Sequence, residues 1–210
     1  MSTASRHNFS LRRFEVISDR TQVGYLGIIT PDNYPRVVPV NFATIGDRVY
    51  LHGATTGEKY DALSSGQKVT FCIAVPYSMI PSYWRSPDYA CPASQYFESV
   101  LIRGRGVVVS DPTEKAKALQ ALMEKHQPEG GFKRLDASDP LYVKAIDEVA
   151  IFRIDPDRID IRIKFGDHLS PETRRRIIAK LRERDIGVDK ITAQEMERRL
   201  ETSQSEEDNQ

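Results

Sequence analysis

The sequence predicts a mainly β fold, a small antiparallel barrel of six or seven strands with helices packed on its outside. Three observations carry this expectation. β-Branched and aromatic runs of strand length recur between clusters of turn residues, and most connections between them are too short for the crossover helices that parallel neighbours require. One long run also holds glycines at 104 and 106, where a sheet could bend to close.

The first strands are "VGYLGIIT" (23–30), "PRVVPVNF" (35–42) and "RVYLHGA" (48–54), separated by "PDNY" and "TIGD". Val, Ile, Tyr and Phe suit a pleated, half-buried surface, while Pro, Asp, Asn and Gly supply the dihedrals of tight turns, so a meander follows. "EKYDALSSG" reads as a helix of about two turns that stops at Gly66. "KVTFCIAV" (68–75) alternates Val69, Phe71, Ile73 and Val75 with Lys68, Thr70, Cys72 and Ala74, the pattern of a strand with one buried face.

Residues 76–94, "PYSMIPSYWRSPDYACPAS", are rich in Pro, Ser and Tyr and carry the single tryptophan. They are expected to form a long loop or flap, either lidding a cleft with Tyr77, Tyr83, Trp84 and Tyr89 or packing as a surface loop. "YFESVLIRGRGVVV" (96–109) is the long strand. "DPTEKAKALQALMEKH" then opens a helix with Asp111 as N-cap and Pro112 in the first turn, its Ala118, Leu119, Leu122 and Met123 facing the barrel. "EVAIFRI" (148–154) and "RIDIRIK" (158–164) read as a hairpin around "DPD".

From Ser170 onward the pattern is helical. "SPETRRRIIAKLRERD" has a serine cap followed by proline, and "TAQEMERRL" starts on a capping box from Thr192 to Glu195. The expected organisation is an N-terminal arm (1–14), the barrel (15–165), a C-terminal helical extension (166–200) and an acidic tail (201–210) that lacks apolar residues and should be disordered.

Lys plus Arg equals Asp plus Glu at 30 each, so no net field recruits nucleic acid or an anionic membrane. In the C-terminal stretch "RRRIIAKLRER", acidic residues interrupt the basic ones, which fits a solvated amphipathic helix better than a nucleic-acid contact. The two cysteines, Cys72 and Cys91, form no CxxC pair, and no His/Cys cluster has zinc spacing; neither a disulfide framework nor a metal is expected. With no signal peptide pattern and no apolar run near the roughly 20 residues that span a bilayer, a reducing cytoplasm is the expected location.

The chemistry concentrates in "LHGATTGEK" (51–59). A strand ends in His52, and "TTGEK" reads as a helix start with Thr55 as N-cap and Glu58 three residues on. Two hydroxyls, Thr55 and Thr56, the amides of the first turn and Lys59 would converge within one turn, a set suited to a phosphate. A capped helix start needs no ligand, however, and Glu58 competes for the same amides. His52 reads either as a histidine held by a backbone carbonyl or as a hydrogen-bonding partner of a cofactor.

The order "PRVVPVNF", "VYLHGA", "TGEKYDAL", "VTFCIAV", "YFESVLIRGRGVVV" and "DPTEK" resembles the FMN-binding split barrel of the pyridoxamine 5'-phosphate oxidase-like superfamily. "LHGA", "GEK", "YFESVLIRGRG" and "MEKHQPEGGF" are most similar to the branch containing nitroimidazole-resistance proteins, and the likeness spans roughly residues 15–165. The resemblance implies a homodimer with flavin at the subunit interface. It implies that Arg36, Val37, Val38, Pro39, Val40 and Asn41 line the edge of the isoalloxazine, that Leu51 and His52 lie near the ring system, and that Thr55, Thr56, Lys59 and Ser99 hold the phosphate.

On this resemblance the chain is expected to be an FMN-dependent oxidoreductase, with His52 at the reaction centre. It would reduce a small electron-poor or quinone-like compound with electrons from NADH or NADPH. The alternative is a non-catalytic sensor or carrier holding flavin or haem in the same barrel. Gly57, Glu58 and Lys59 stand where pyridoxamine phosphate oxidases have a Ser-Arg-Lys run, and their C-terminal Arg and Trp find no match, so oxidation of pyridoxamine phosphate itself is not expected.

Overall fold

The computed structural model describes the backbone of residues 3–207 and the side chains of residues 11–202. Its strands are β1 (Val23–Ile29), β2 (Pro35–Asn41), β3 (Ala43–Ile45), β4 (Arg48–Gly53), β5 (Lys68–Ile80), β6 (Ser94–Val109) and β7 (Ala150–Lys164). Its helices are α1 (Thr3–Asp19), α2 (Glu58–Ser64), α3 (Pro112–His126), α4 (Val143–Glu148), α5 (Pro171–Arg184) and α6 (Asp189–Glu207). The strands form one sheet in the order β2-β1-β5-β6-β7-β4-β3, antiparallel at β1–β2, β1–β5, β3–β4 and β4–β7. The two edge strands, β2 and β3, are separated in the chain by Phe42 alone, so the sheet must curl to bring the ends of those strands together at Phe42 while leaving their edges unpaired with each other. This is the curled, mainly β arrangement with flanking helices that the sequence predicts.

The chain divides into two compact units, Met1–Ala74 with Val100–Ile161 and Val75–Ser99 with Arg162–Gln210. In the first, Leu26, Phe42, Leu51, Phe71 and Phe152 are wholly buried, and the Phe42 and Phe71 rings meet edge to face at 5.2 Å. Helix α3 is capped as its sequence predicts, Asp111 accepting from the amides of Thr113 and Glu114. It is tied to the sheet through Glu114, which accepts from the Tyr50 hydroxyl at 2.8 Å and from Arg153 at 2.7 Å. Helix α1 occupies the place of the expected N-terminal arm and extends to Asp19; Phe14 and Ile17 on it are wholly buried, which is the apolar burial that holds the helix.

The expected hairpin around "DPD" is absent, because β7 runs unbroken through Asp155, Pro156 and Asp157. Gly104 is the reason. A Cβ there would lie 2.1 Å from the Asp155 carbonyl oxygen, so only glycine lets the β7 backbone pass flat against β6. Arg153 further fixes the segment, gripping both carboxylate oxygens of Asp155 at 2.7 and 2.8 Å.

In the second unit, β5 continues to Ile80, a 3-10 turn spans Ser82–Trp84 and β6 begins at Ser94, so the expected long flap shrinks to residues 85–93. Tyr77, Ile80, Trp84, Tyr96 and Phe165 pack with Ile177, Ile178 and Leu181 of α5 and Ala193 and Met196 of α6. Tyr77 and Trp84 therefore belong to a core and cannot lid a cleft, while Tyr83 and Tyr89 are exposed. The inward face of α5 is the expected one, Ser170 capping it through the amide of Thr173.

Helix α6 starts at Asp189, ahead of the expected cap at Thr192. Asp189 accepts from the amide of Ile186, whereas the Thr192 hydroxyl donates to the Val188 carbonyl inside the first turn. The helix also continues to Glu207, correcting the expected disorder from residue 201 as far as that point. Extending a helix already formed adds a hydrogen bond for each residue fixed, so polar residues can follow where they could not begin. Residues 208–210 lie outside the described residues. No described helix is long and apolar enough to cross a membrane.

Candidate functional site

The site is built in the first unit where β4 hands over to α2. Strand β4 is pinned to β7 by the pairs Leu51 with Phe152, His52 with Ile151 and Gly53 with Ala150. Val49, Tyr50 and Leu51 are all buried, so the strand is covered on both faces until His52, whose side chain emerges exposed. The chain then passes through Ala54, Thr55 and Thr56, all exposed, to Gly57 at φ 95°. Gly57, and not Thr55, caps α2, and neither threonine hydroxyl has a hydrogen-bond partner among the described residues. The expected Thr55–Glu58 capping box therefore does not form: Glu58 pairs instead with Arg36 of β2.

Lys59 does not extend into solvent. Its ammonium folds back across Gly53, donating to the His52 carbonyl at 3.1 Å and lying 5.4 Å from the centre of the Phe152 ring. Gly53 makes room for it, since a Cβ there would sit 2.5 Å from Lys59 Nζ. Tyr60 meets Phe152 edge to face, the ring centres 6.0 Å apart. Burial lowers the Lys59 pKa, because a half-buried ammonium has lost part of its hydration.

His52 is held below its ordinary pKa by burial first and then by the nearby charges of Lys59 and His126. Its imidazole is thus biased toward the neutral form, able to donate or accept a hydrogen bond. His126, at the end of α3, has Nε2 3.1 Å from the Phe42 carbonyl oxygen; a carbonyl only accepts, so Nε2 carries the proton.

The structure thus gathers Arg36, His52 and Lys59 of the expected site residues at one end of β4. Val37, Pro39 and Asn41 are exposed on β2 and Val38 is half-buried, but the side chains of Val40 and Leu51 point into the core and cannot reach a ligand. Any role for those two falls to their backbone. Ser99 belongs to the second unit. Gly53, Phe152, Tyr60 and His126 were not legible as members: Phe152 and His126 arrive from elements about a hundred and about seventy residues away, through strand pairing and helix packing that no local pattern encodes. Among the described residues no group of three or more His, Cys, Asp or Glu side chains could hold a metal ion.

The arrangement suits an anion. Lys59 has spent one N–H on a carbonyl and keeps two, it is half-desolvated, and the neighbouring carboxylate of Glu58 is drawn off to Arg36. The chain is 27% identical over 127 residues to an uncharacterised protein encoded in the butB 5' region of Niallia circulans; the match takes in 54% of this chain and 46% of that protein, so the chain spans about half the length of that curated relative. Among solved structures it is similar to a candidate 5-nitroimidazole antibiotic resistance protein from Bacteroides thetaiotaomicron, at 26% identity and TM-score 0.57 over 70% of this chain and 80% of that one. It is similar also to the flavocytochrome Anf3 from Azotobacter vinelandii, at 25% identity and TM-score 0.62 over 74% and 67% of the two chains. The sequence profile of the family described as pyridoxamine 5'-phosphate oxidase matches residues 12–163, nearly the whole extent of the barrel strands, and the chain belongs to that family.

Proposed function

We propose that the first unit binds a flavin, FMN in the first instance, and serves as an oxidoreductase that passes electrons from NADH or NADPH to a small electron-poor or quinone-like compound. The observation that carries this reading is Lys59, a half-buried ammonium laid across Gly53 beside His52, with no carboxylate paired to it among the described residues. The family match and the similarity to a flavocytochrome support a flavin as the anion-bearing ligand.

A bound flavin would supply hydride acceptance and one- or two-electron transfer. The chain's part is to hold and tune it. Lys59 would donate its two remaining N–H groups to the phosphoryl oxygens, with the Thr55 and Thr56 hydroxyls within the same loop. The exposed backbone of β2 from Arg36 to Asn41 lies at a sheet edge, where unpaired N–H and C=O groups can recognise the polar rim of a ring. His52, whose pKa is lowered by burial first and then by the neighbouring Lys59 and His126, would donate a hydrogen bond near that ring and favour its reduced form.

A homodimer is part of the proposal. Tyr25, Ile29 and Val37 are exposed on the outer face of β1 and β2, with Val37 66% exposed, and the register sets Tyr25 beside Pro39 and Gly27 beside Val37 in one apolar strip. A second copy is the occupant the family resemblance implies. With two free cysteines, Cys72 and Cys91, a cytoplasmic location is consistent.

A second reading, a flavin- or haem-holding sensor without turnover, is favoured by the flavocytochrome similarity and by His126 lying close enough to His52 to depress its pKa. An absorbance scan of the purified protein separates them. Two broad near-ultraviolet and blue bands that bleach on adding NADH or NADPH are expected; a Soret band, or flavin bands that no donor bleaches, would favour the sensor. A colourless protein that ignores added FMN would contradict both.

A further inference from the structure

The residues that would meet the flavin ring come from opposite edges of the sheet. Strand β2, exposed along most of its length from Arg36 to Asn41, is one edge; β3 is the other, and its neighbour β4 carries His52. The ladders do not set the spacing between the two sides. β2 pairs with β1 as far as Asn41 opposite Val23, and β3 pairs with β4 from Ala43 opposite Tyr50, which leaves Phe42 outside both. At the far end of β2 the link across to α2 is the Arg36–Glu58 pair, with side chains 53% and 50% exposed, and an ion pair so solvated fixes geometry weakly. The relation of the two sides is therefore decided where the chain turns from one to the other, at the Phe42 peptide.

Phe42 is held in three ways. Its wholly buried ring meets Phe71 edge to face at 5.2 Å and carries the Lys125 ammonium 3.3 Å from its centre. These contacts fix the ring. They leave ψ of Phe42, and with it the direction of its carbonyl, open. The third contact is to that carbonyl, which accepts from His126 Nε2 at 3.1 Å. His126 is a firm post because α3 is anchored at its other end, where Glu114 accepts from Tyr50 of β4 and from Arg153 of β7. One helix thus grips β4 two residues before His52 and, in its last turn, the corner that follows Asn41. The charge of His126 is felt at His52, so the post stands beside the proposed ring site.

We propose that His126 is a positioning residue for the flavin: its bond to the Phe42 carbonyl sets the spacing between the β2 backbone, which reads the polar rim of the ring, and His52, which approaches the ring from β4. The proposal rests on the flavin reading given above and names a further residue of that site. A ring recognised from two edges needs both within hydrogen-bond reach at once, and a donor displaced by about 1 Å loses its bond. With the Phe42 carbonyl released, the corner turns and the ring keeps one side at the expense of the other.

The test compares His126→Met with His126→Gln in the full-length chain. The two side chains are alike in length and branching, and only glutamine keeps an N–H donor for the Phe42 carbonyl. His126→Met should weaken FMN binding by about tenfold, the factor for one ordinary hydrogen bond, and should shift both the visible flavin band and the midpoint potential of the bound flavin. His126→Gln should return all three toward wild type, and His126→Leu, a second side chain without a donor, should behave as His126→Met. Equal FMN affinity in His126→Met and His126→Gln would overturn the proposal. So would a loss of affinity in His126→Met with band and potential unmoved, since that marks a residue that only supports the fold. In either case FMN still quenches with the wild type and the flavin reading survives; absence of quenching with the wild type would overturn the flavin reading and this proposal together.

Discussion

Two charged clusters, one around Lys59 in the first unit and one around Asp189 in the second, place ions beside buried apolar side chains and treat them in opposite ways. Asp189 is saturated. Arg184 grips both its oxygens at 2.7 Å, Ser78 donates to it at 2.6 Å and the Ile186 amide caps it, while the guanidinium stacks 4.6 Å from the Trp84 ring. Lys59 has one carbonyl and one ring face, and the carboxylate next to it in sequence is turned to Arg36. A buried charge kept for architecture is given every partner its geometry allows, because an unpaired one costs several kcal/mol. A charge left half-satisfied at the surface keeps capacity for a ligand. On the proposed reading the difference between the clusters is one of role, and it can be broken from either side.

The largest expected effect falls on the saturated cluster. Asp189→Ala strands Arg184 in a half-buried position and should destabilise the chain by about 3 to 5 kcal/mol in urea denaturation; a loss below about 1 kcal/mol would mean that the cluster is solvated and its contrast with Lys59 empty. Acid should reach the same cluster. The Arg184 hydrogen bonds, opposed by burial and helped by Ser78, hold the Asp189 carboxyl down to about 2 from its usual 3.8. A depressed carboxyl stabilises the fold above its unfolded value and loses that contribution as pH falls through the folded one. About 2 kcal/mol should disappear between roughly pH 4 and pH 2. The wild type should show this step and Asp189→Asn should not; parallel acid profiles would remove Asp189 as its source.

On the ligand side, His52→Ala should retain flavin but change its reduction rate by about tenfold, equivalent to about 1.4 kcal/mol in the barrier. Stopped-flow traces identical to wild type would assign His52 to packing. The smallest effect is expected at Thr55. Because Gly57 caps α2, Thr55→Ala should alter stability by less than about 0.5 kcal/mol, whereas a capping threonine would cost about 1; a melting curve displaced by the larger amount would restore the capping box.

How much of this was legible follows the range of the forces involved. The strand runs of the barrel, the Asp111 and Ser170 caps and the inward face of α5 are local patterns, and they are where the sequence places them. The hairpin at "DPD" fails because a contact at Gly104, about fifty residues earlier, overrides a strong turn signal. The aromatic flap fails for a similar reason: Tyr77 and Trp84 find their cover in helices nearly a hundred residues on. At the candidate site, the capping box expected in "LHGATTGEK" does not form, since Glu58 answers to Arg36 on another strand. The lysine was legible as a cation near a strand end; its bed of Gly53 and Phe152 was not.

The reading rests on Lys59 as the grip for a phosphoryl group, and its most direct test is a titration of FMN into wild-type protein and Lys59→Ala, followed by quenching of flavin fluorescence. Removing one charged hydrogen-bond donor should weaken binding by about 1 to 3 kcal/mol, with the melting temperature of the flavin-free protein held. Equal affinity in the two proteins, or no quenching in either, would contradict the account.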